Sequence, residues 1–274
     1  MIWNRLFGIG RDEKIVPAVS RAIPLDVQQA ADRVANNLHV DPRLHSSDFI
    51  LWSILENHGE GSPEKVVKEY FEGGRNTAVY IRNIVEGAGK TEVPRMLDFA
   101  AGYARLARHF PVIMPKTRVT VSDIHDEALV FARQLGFRAR ASSWNPSRFK
   151  PGQHELVIAI SFLTHMPRET WANWLGALGR AVAPGGILLV TTHGLPALEP
   201  MGLTQVEPDG FGYFMQSEQA DLALANYAST VTLPDYVRAA ARDNGLEIVS
   251  FQQGGFGYQD LWLLTPKTGD SRRR

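Results

Sequence analysis

The chain has 274 residues, 44% hydrophobic and 21% charged, enough apolar material for one sizeable globular domain with an appendage. Lys+Arg and Asp+Glu are both 29, so no global charge recruits nucleic acid or an anionic membrane, and the absence of cysteine excludes disulfides, thiolate metal sites and a cysteine nucleophile. No apolar run is long enough to span a bilayer, and together these features are those of a cytoplasmic protein.

Residues 1–23 read as an N-terminal tail, because "MIWNRLFGIGRDEK" is apolar only in scattered pairs and lacks the core of a signal peptide. From 24 to 92 the pattern is helical and forms a cap. "DVQQAADRVANNL" repeats apolar residues at helical spacing, and "SSDFILWSILENHGEG" follows it. "SPEKVVKEYFEGG" takes Ser62 as N-cap and Pro63 in its first turn, and is expected to stop at Gly73-Gly74. "RNTAVYIRNIVEGAG" is expected to be a separate helix.

From residue 93 to 267 strands and helices alternate, and 268–274 form a C-terminal tail. "RMLDFA" predicts a buried strand followed by a helix through "YARLARHF". The strands "RVTVSD", "FRARAS" and "ELVIAIS" come next, with "DEALVFARQLG" as a helix between the first two. "PRETWANWLGALGRAVA" is a helix with Trp171, Trp174, Leu175 and Leu178 on one stripe, and "PGG" turns into the strand "ILLVTT". After a long connection come the helix "LPDYVRAAARDNG" and the strands "LEIVSF" and "DLWLLT". This order predicts an α/β fold: a Rossmann-like, mostly parallel seven-stranded sheet with helices on both faces and an antiparallel last strand. Such sheets bind ligands at the carboxyl ends of their strands.

The first strand ends in "MLDFAAGYARLARHF", where Asp98 opens a turn that keeps one glycine, Gly102. A dinucleotide turn brings several glycines against a pyrophosphate, and Asp98 beside two phosphates is electrostatically wrong for that ligand. A cationic ligand without phosphates removes the conflict; S-adenosylmethionine, with a sulfonium and an ammonium, is one. Asp123 closes the second strand, where a carboxylate accepts hydrogen bonds from ribose hydroxyls.

The segment from Pro94 to Pro266 resembles the class I S-adenosylmethionine-dependent methyltransferases, of the small-molecule type. The glycine-rich motif of that family, D-x-G-x-G-x-G, is matched by Asp98 to Ala104, with alanine at 100 and 104 in place of glycine. "SFLTHMP", "RAVAPGGILLVTTHG" and "YQDLWLLT" are similar to its elements after strand four, at strand five and in the last strand. The resemblance implies that the cofactor is S-adenosyl-L-methionine and the product S-adenosyl-L-homocysteine. It places the methionine end over Ala100, Ala101 and Gly102 with Asp98 toward the ammonium. Asp123 would then hold the ribose, Ile124, Ser143 and Trp144 the adenine, and Ser161 would face the methyl group. Alanine disfavours positive φ, so Gly102 is expected to hold the strained conformation or the closest contact. The two alanines also leave an alternative, a non-catalytic cofactor-binding protein of the same fold.

Methyl transfer from a sulfonium is an in-line displacement, in which a hydroxyl acceptor needs a base and a neutral amine needs little help. His165 and His193, each after a strand whose carboxyl end faces the cleft, are the candidate catalytic residues. The "DIHDE" run at 123–127 has no second cluster to complete a metal site, so no metal is expected.

The insertion 194–232 is expected to be a substrate lid. The stretch from Gly194 to Val237 holds Glu199, Glu207, Asp209, Glu218, Asp221 and Asp235 but no lysine or arginine. An acidic lid repels phosphate backbones, so nucleic acid is not expected, and the acceptor is a neutral or cationic small molecule taking a methyl group on a hydroxyl or amine. Tyr70 and Tyr80 of the cap and Phe211, Tyr213 and Tyr227 of the lid are expected to line its pocket, and Arg75 to reach the cofactor carboxylate or face solvent. A homodimer, with the cap supplied by a neighbour, stays open at this point.

Overall fold

The computed structural model describes residues 21–58, 62–217, 219 and 221–267. The expected tails lie outside these residues except for positions 21–23, as does Glu218.

The cap consists of α1 (Leu25–Leu38), α2 (Phe49–His58) and α3 (Pro63–Gly87). Their apolar stripes close on one another: Val27, Ala30, Ala31 and Val34 of α1 meet Leu51 and Ile54 of α2 and Val66, Val67, Tyr70 and Phe71 of α3. Ser62 is the N-cap of α3 with Pro63 in the first turn, although the serine side chain makes no capping bond. The expected break at Gly73-Gly74 is absent, and one 25-residue helix runs through both glycines. They serve close approach instead. A Cβ on Gly74 would lie 2.7 Å from the carbonyl oxygen of Arg105, and one on Gly73 2.6 Å from the Arg105 guanidinium. The first half of α3 thus packs in the cap, while Ala78, Ile81 and Val85 pack on the sheet.

The sheet contains β1 (Arg95–Phe99), β2 (Arg118–Asp123), β3 (Arg138–Ala141), β4 (His154–Ala159), β5 (Val182–His193), β6 (Phe211–Phe214), β7 (Ser229–Thr232), β8 (Leu246–Phe256) and β9 (Gln259–Pro266). Strands β3-β2-β1-β4-β5 are parallel, and β9 lies antiparallel between β5 and β8. These are the seven expected strands. The sheet is nevertheless nine-stranded, because the insertion adds the β6–β7 hairpin, joined to β5 where His193 pairs with Val231.

Period-two alternation divides the core between the two faces. Leu156 and Ile158 of β4 pack under α3 and α5 (Asp126–Gln134), and Val157 and Ala159 pack under α6 (Arg168–Arg180) and α8 (Pro234–Asp243). Trp171, Trp174, Leu175 and Leu178 of α6 are all buried on that second face. The helix expected after β1 is instead a run of turns, a 3-10 segment at Ala107–His109 and the four-residue α4 (Phe110–Ile113). Left-handed backbone at Ala104, with φ 57°, denies that stretch a regular first turn. The remaining helix, α7 (Leu195–Leu198), opens the insertion.

Candidate functional site

The carboxyl ends of β1, β2, β4 and β5 lie along one edge of the sheet, with the cap loop 41–48 packed on one side and the insertion on the other. Asp98 is the fourth residue of β1, in register with Val121 and Ile158, so its side chain sits in the middle of the sheet. It is 3% exposed, and its Oδ2 has no hydrogen-bond partner. Burial, reinforced by the negative charge of Asp123, pushes its pKa up to about 8. A buried carboxylate without a protein cation is costly, and this one suits a ligand that brings positive charge.

After Asp98 the backbone turns through three left-handed residues, Ala100 (φ 55°), Gly102 (φ 52°) and Ala104 (φ 57°). Gly102 holds the left-handed conformation as expected, but both alanines, which disfavour it, adopt it too. Each costs on the order of 1–2 kcal/mol. Ser161 at the end of β4, with φ 54°, is a further strained residue at the same edge. Strain gathered in one place against residue preference marks a functional site. The turn is held by its surroundings. Ala101 N–H donates to the Ser122 carbonyl at 3.1 Å, and Gly102 N–H to Asp123 Oδ2 at 2.8 Å.

Asp123 is buried at the end of β2, and its carboxylate is already engaged. Oδ1 accepts the backbone N–H of His125 at 3.0 Å and lies 2.8 Å from His125 Nδ1. The other ring nitrogen of His125 lies 2.8 Å from Asp221 Oδ2 of the insertion. Burial opposes charge on this imidazole, but hydrogen bonds to the two carboxylates override it and raise its pKa to about 10. His125 is thus an imidazolium between two carboxylates. Ile124, Ser143 and Trp144 follow β2 and β3 and are all half-buried at the same edge.

The cap is fastened over the opening turn. The guanidinium of Arg108 donates to the carbonyls of Tyr103 and Ala104 and to those of Asp41 and Arg43 in the cap loop. The His45 ring stacks on Tyr103 at 4.4 Å, and Ser47 Oγ donates to Glu127 at 3.1 Å.

The ends of β4 and β5 are of a different kind. His165 and His193 come together with ring centroids 6.3 Å apart. Tyr227 stacks on His165 at 4.3 Å, and Tyr258 on His193 at 5.5 Å. Burial lowers the pKa of His165 to about 4, so it is neutral at pH 7. His193 Nδ1 lies 3.2 Å from the Thr230 carbonyl, which can only accept, so Nδ1 carries a proton. The Ser161 hydroxyl is hydrogen-bonded to the Gln259 carboxamide, and its N–H donates to Thr191 Oγ1 at 2.8 Å.

Several expected pocket residues are placed elsewhere. Tyr70 has no exposed surface and donates its hydroxyl to Asp48 at 2.5 Å, so it belongs to the cap interior. Phe211 is a core residue between Tyr236 and the Arg168 guanidinium, because its position in β6 turns it inward. Tyr80 donates to the Gly255 carbonyl at 2.6 Å and docks α3 on the β8–β9 hairpin. Tyr213 donates to the Leu224 carbonyl at 2.6 Å within the insertion. Of the aromatics proposed for the acceptor, Tyr227 stands beside the histidines. Arg75 is exposed on α3.

Three acids of the insertion act as tethers. Glu207 and Asp209 pair with Arg168, and Asp221 with His125. His125, Tyr258 and Gln259 were not singled out from the sequence, although the last two stand in the "YQDLWLLT" stretch quoted for its resemblance. Among the described residues no group of three or more His, Asp or Glu side chains could hold a metal ion, and no helix is long and apolar enough to cross a membrane.

No protein-family model matches the sequence, and no curated protein is detectably similar to it. Solved structures share the architecture. An S-adenosylmethionine-dependent methyltransferase from Clostridium acetobutylicum superposes with a TM-score of 0.55 at 12% identity, covering 74% of this chain and 97% of its own. An amino pentose methyltransferase of calicheamicin biosynthesis from Micromonospora echinaspora, solved with S-adenosylmethionine, gives 0.51 at 15% identity over 71% and 92%. Magnesium protoporphyrin IX methyltransferase from Synechocystis, solved with S-adenosylhomocysteine, gives 0.52 at 18% identity over 80% and 94%. The chain has the fold of the class I S-adenosylmethionine-dependent methyltransferases.

Proposed function

We propose that the protein transfers a methyl group from S-adenosylmethionine to a hydroxyl or amine of a neutral or cationic small molecule. The observation that carries this reading is Asp98: a buried carboxylate with a raised pKa and an unpartnered oxygen, at a turn held open by left-handed backbone. It fits the ammonium of the donor and repels a pyrophosphate. The donor bound in the Micromonospora structure and the demethylated product bound in the Synechocystis structure support the same assignment.

In this reading Ala100, Ala101 and Gly102 lie against the methionine portion, and Asp98 accepts from its ammonium. Asp123 receives a ribose hydroxyl with its remaining lone pair. Ile124, Ser143 and Trp144 flank the adenine, and Ser161 stands beside the methyl end. When bound, the donor supplies a methyl group already activated on sulfonium, so the protein's task is alignment and exclusion of water. Arg168 is shared by Glu207 and Asp209, and His125 by Asp123 and Asp221, so each cluster keeps an excess of negative charge. That suits a neutral or cationic acceptor and disfavours a phosphate backbone. His165, with a pKa of about 4, is a poor base and orients the acceptor against Tyr227. His193 Nε2 takes the proton of a hydroxyl acceptor.

A panel of neutral and cationic hydroxylated and amino compounds, incubated with methyl-labelled donor, tests this. Transfer to at least one of them, lost in His193→Ala when the acceptor is a hydroxyl, is the expected result. Donor binding without transfer to any member would favour the non-catalytic cofactor-binding protein instead.

A further inference from the structure

The insertion and the end of β2 lie about a hundred residues apart in sequence, yet one side chain joins them. His125 presents Nδ1 to Asp123 and Nε2 to Asp221, each at 2.8 Å. The three side chains are only 16%, 8% and 11% exposed, so the charges face one another largely out of water. No lysine or arginine is hydrogen-bonded to either carboxylate among the described residues. The insertion's other tether, Arg168 to Glu207 and Asp209, is more exposed and lies before β6. Between β6 and β7, Asp221 is, among the described residues, a side-chain link to the end of β2.

We propose that His125 is a positioning residue that ties the orientation of Asp123 to the insertion's Asp221, so that seating of segment 221–228 beside the end of β2 and binding of a ribose at Asp123 are one linked event. This rests on the reading of Asp123 as the ribose acid. The carboxylate has about four acceptor positions. The His125 N–H, the His125 ring and the Gly102 N–H occupy three, and the ring bond decides where the fourth points. Loss of Asp221 removes half of what holds that ring. By reciprocity, a ligand that benefits from the seated insertion stabilises it by the same factor.

The groups acting on this triad are all acidic or neutral. Asp98 of β1 lies close enough to feel the charge of Asp123, Tyr103 after the same strand feels Asp123 and Glu127, and Glu127 of α5 is bonded to Ser47 of the cap. None competes with His125 for either carboxylate. The imidazole therefore keeps its proton through neutral pH, consistent with its raised pKa.

Asp221→Ala cuts the link without touching the cofactor side, and His125→Asn cuts it from the other end. In ligand-free protein, hydrogen exchange over 221–228 should quicken in both variants. The His125 titration, followed by NMR, should fall by more than one unit in Asp221→Ala. S-adenosylhomocysteine should dissociate about tenfold faster from either variant, and the double variant should be no worse than His125→Asn, as coupled residues require. Faster exchange with an unchanged dissociation rate would overturn the coupling, since Asp221 would then only hold the insertion. Unchanged exchange and titration in folded variants would overturn the latch itself. If the parent protein bound no adenosyl ligand, the methyltransferase reading and the coupling would fall together, and ligand-free exchange would still decide the latch.

Discussion

The two halves of the site handle charge in opposite ways. At the ends of β1 and β2 stand a buried unpartnered carboxylate, a protonated histidine between two acids, and left-handed backbone at three residues of one turn. At the ends of β4 and β5 stand two histidines between tyrosines, one of them kept neutral by burial, with a serine–glutamine pair beside them. The first half is built for a charged ligand of fixed shape. The second offers a neutral wall whose hydrogen bonds are already turned inward. On the proposed function, the division separates two kinds of specificity: recognition of the donor by electrostatics and backbone, and recognition of the acceptor by shape and aromatic contact.

The contrast can be broken at either half. The largest effect is expected from His193→Ala with a hydroxyl acceptor. Loss of a general base should lower kcat by about 100-fold while donor affinity stays unchanged, which steady-state kinetics and a binding titration separate. With His165 neutral above about pH 4, its titration should leave no mark on the rate between pH 5 and 8. A limb in that range that vanished in His165→Gln would contradict the neutral wall.

Asp98→Asn should come next. Replacing a charge-assisted hydrogen bond by a neutral one costs about 1.5–3 kcal/mol, or roughly 10- to 100-fold in donor affinity. The same variant carries a stability signature with a definite sign. Asp98 has a folded pKa of about 8 against an ordinary value of 3.8, so its contribution is fully present below pH 3.8 and is lost as pH rises through 8. Denaturant melts should show the parent losing stability over that window relative to Asp98→Asn.

The cap above the donor half gives a comparison within one helix. Gly74→Ala drives a Cβ against the Arg105 carbonyl and should destabilise by about 1–3 kcal/mol, whereas Gly87→Ala meets nothing within 4 Å and should stabilise by up to about 1 kcal/mol. Equal effects would mean that α3 does not press on the opening turn. The smallest effects concern the strained alanines. Ala100→Gly relieves about 1–2 kcal/mol of left-handed strain against about 0.5–1 kcal/mol of backbone entropy, a modest net gain. Ala104 has no exposed surface, so Ala104→Gly also forfeits a buried methyl, worth about 0.8 kcal/mol, and should come out near neutral.

What the sequence made legible follows from range. Strands and helices were readable because burial patterns of period two and helical period are local, and the acids Asp98 and Asp123 were readable because each ends its own strand. Gly73-Gly74 was misleading: glycine stops a helix and also admits a neighbour, and the neighbour, Arg105, lies thirty residues on. The helix after β1 failed because Ala104 adopts a backbone its own side chain disfavours, a conformation imposed by the packed turn. Phe211 and Tyr70 were assigned to a pocket by residue type, whereas strand alternation and cap packing turn them inward. His125 was invisible as a site residue because its partner Asp221 is nearly a hundred positions away, and Gln259 likewise meets Ser161 only through the antiparallel last strand.

The account's central claim is that the charged half binds the adenosyl donor through Asp98. The most direct measurement is a calorimetric titration at pH 7 with S-adenosylmethionine, S-adenosylhomocysteine and NAD, repeated in buffers of different ionisation enthalpy. The account predicts micromolar binding of the first two, none of NAD, and release of about one proton per donor bound as Asp98 ionises beside the ammonium. No binding of either adenosyl ligand by folded protein, or binding without proton release, would contradict it.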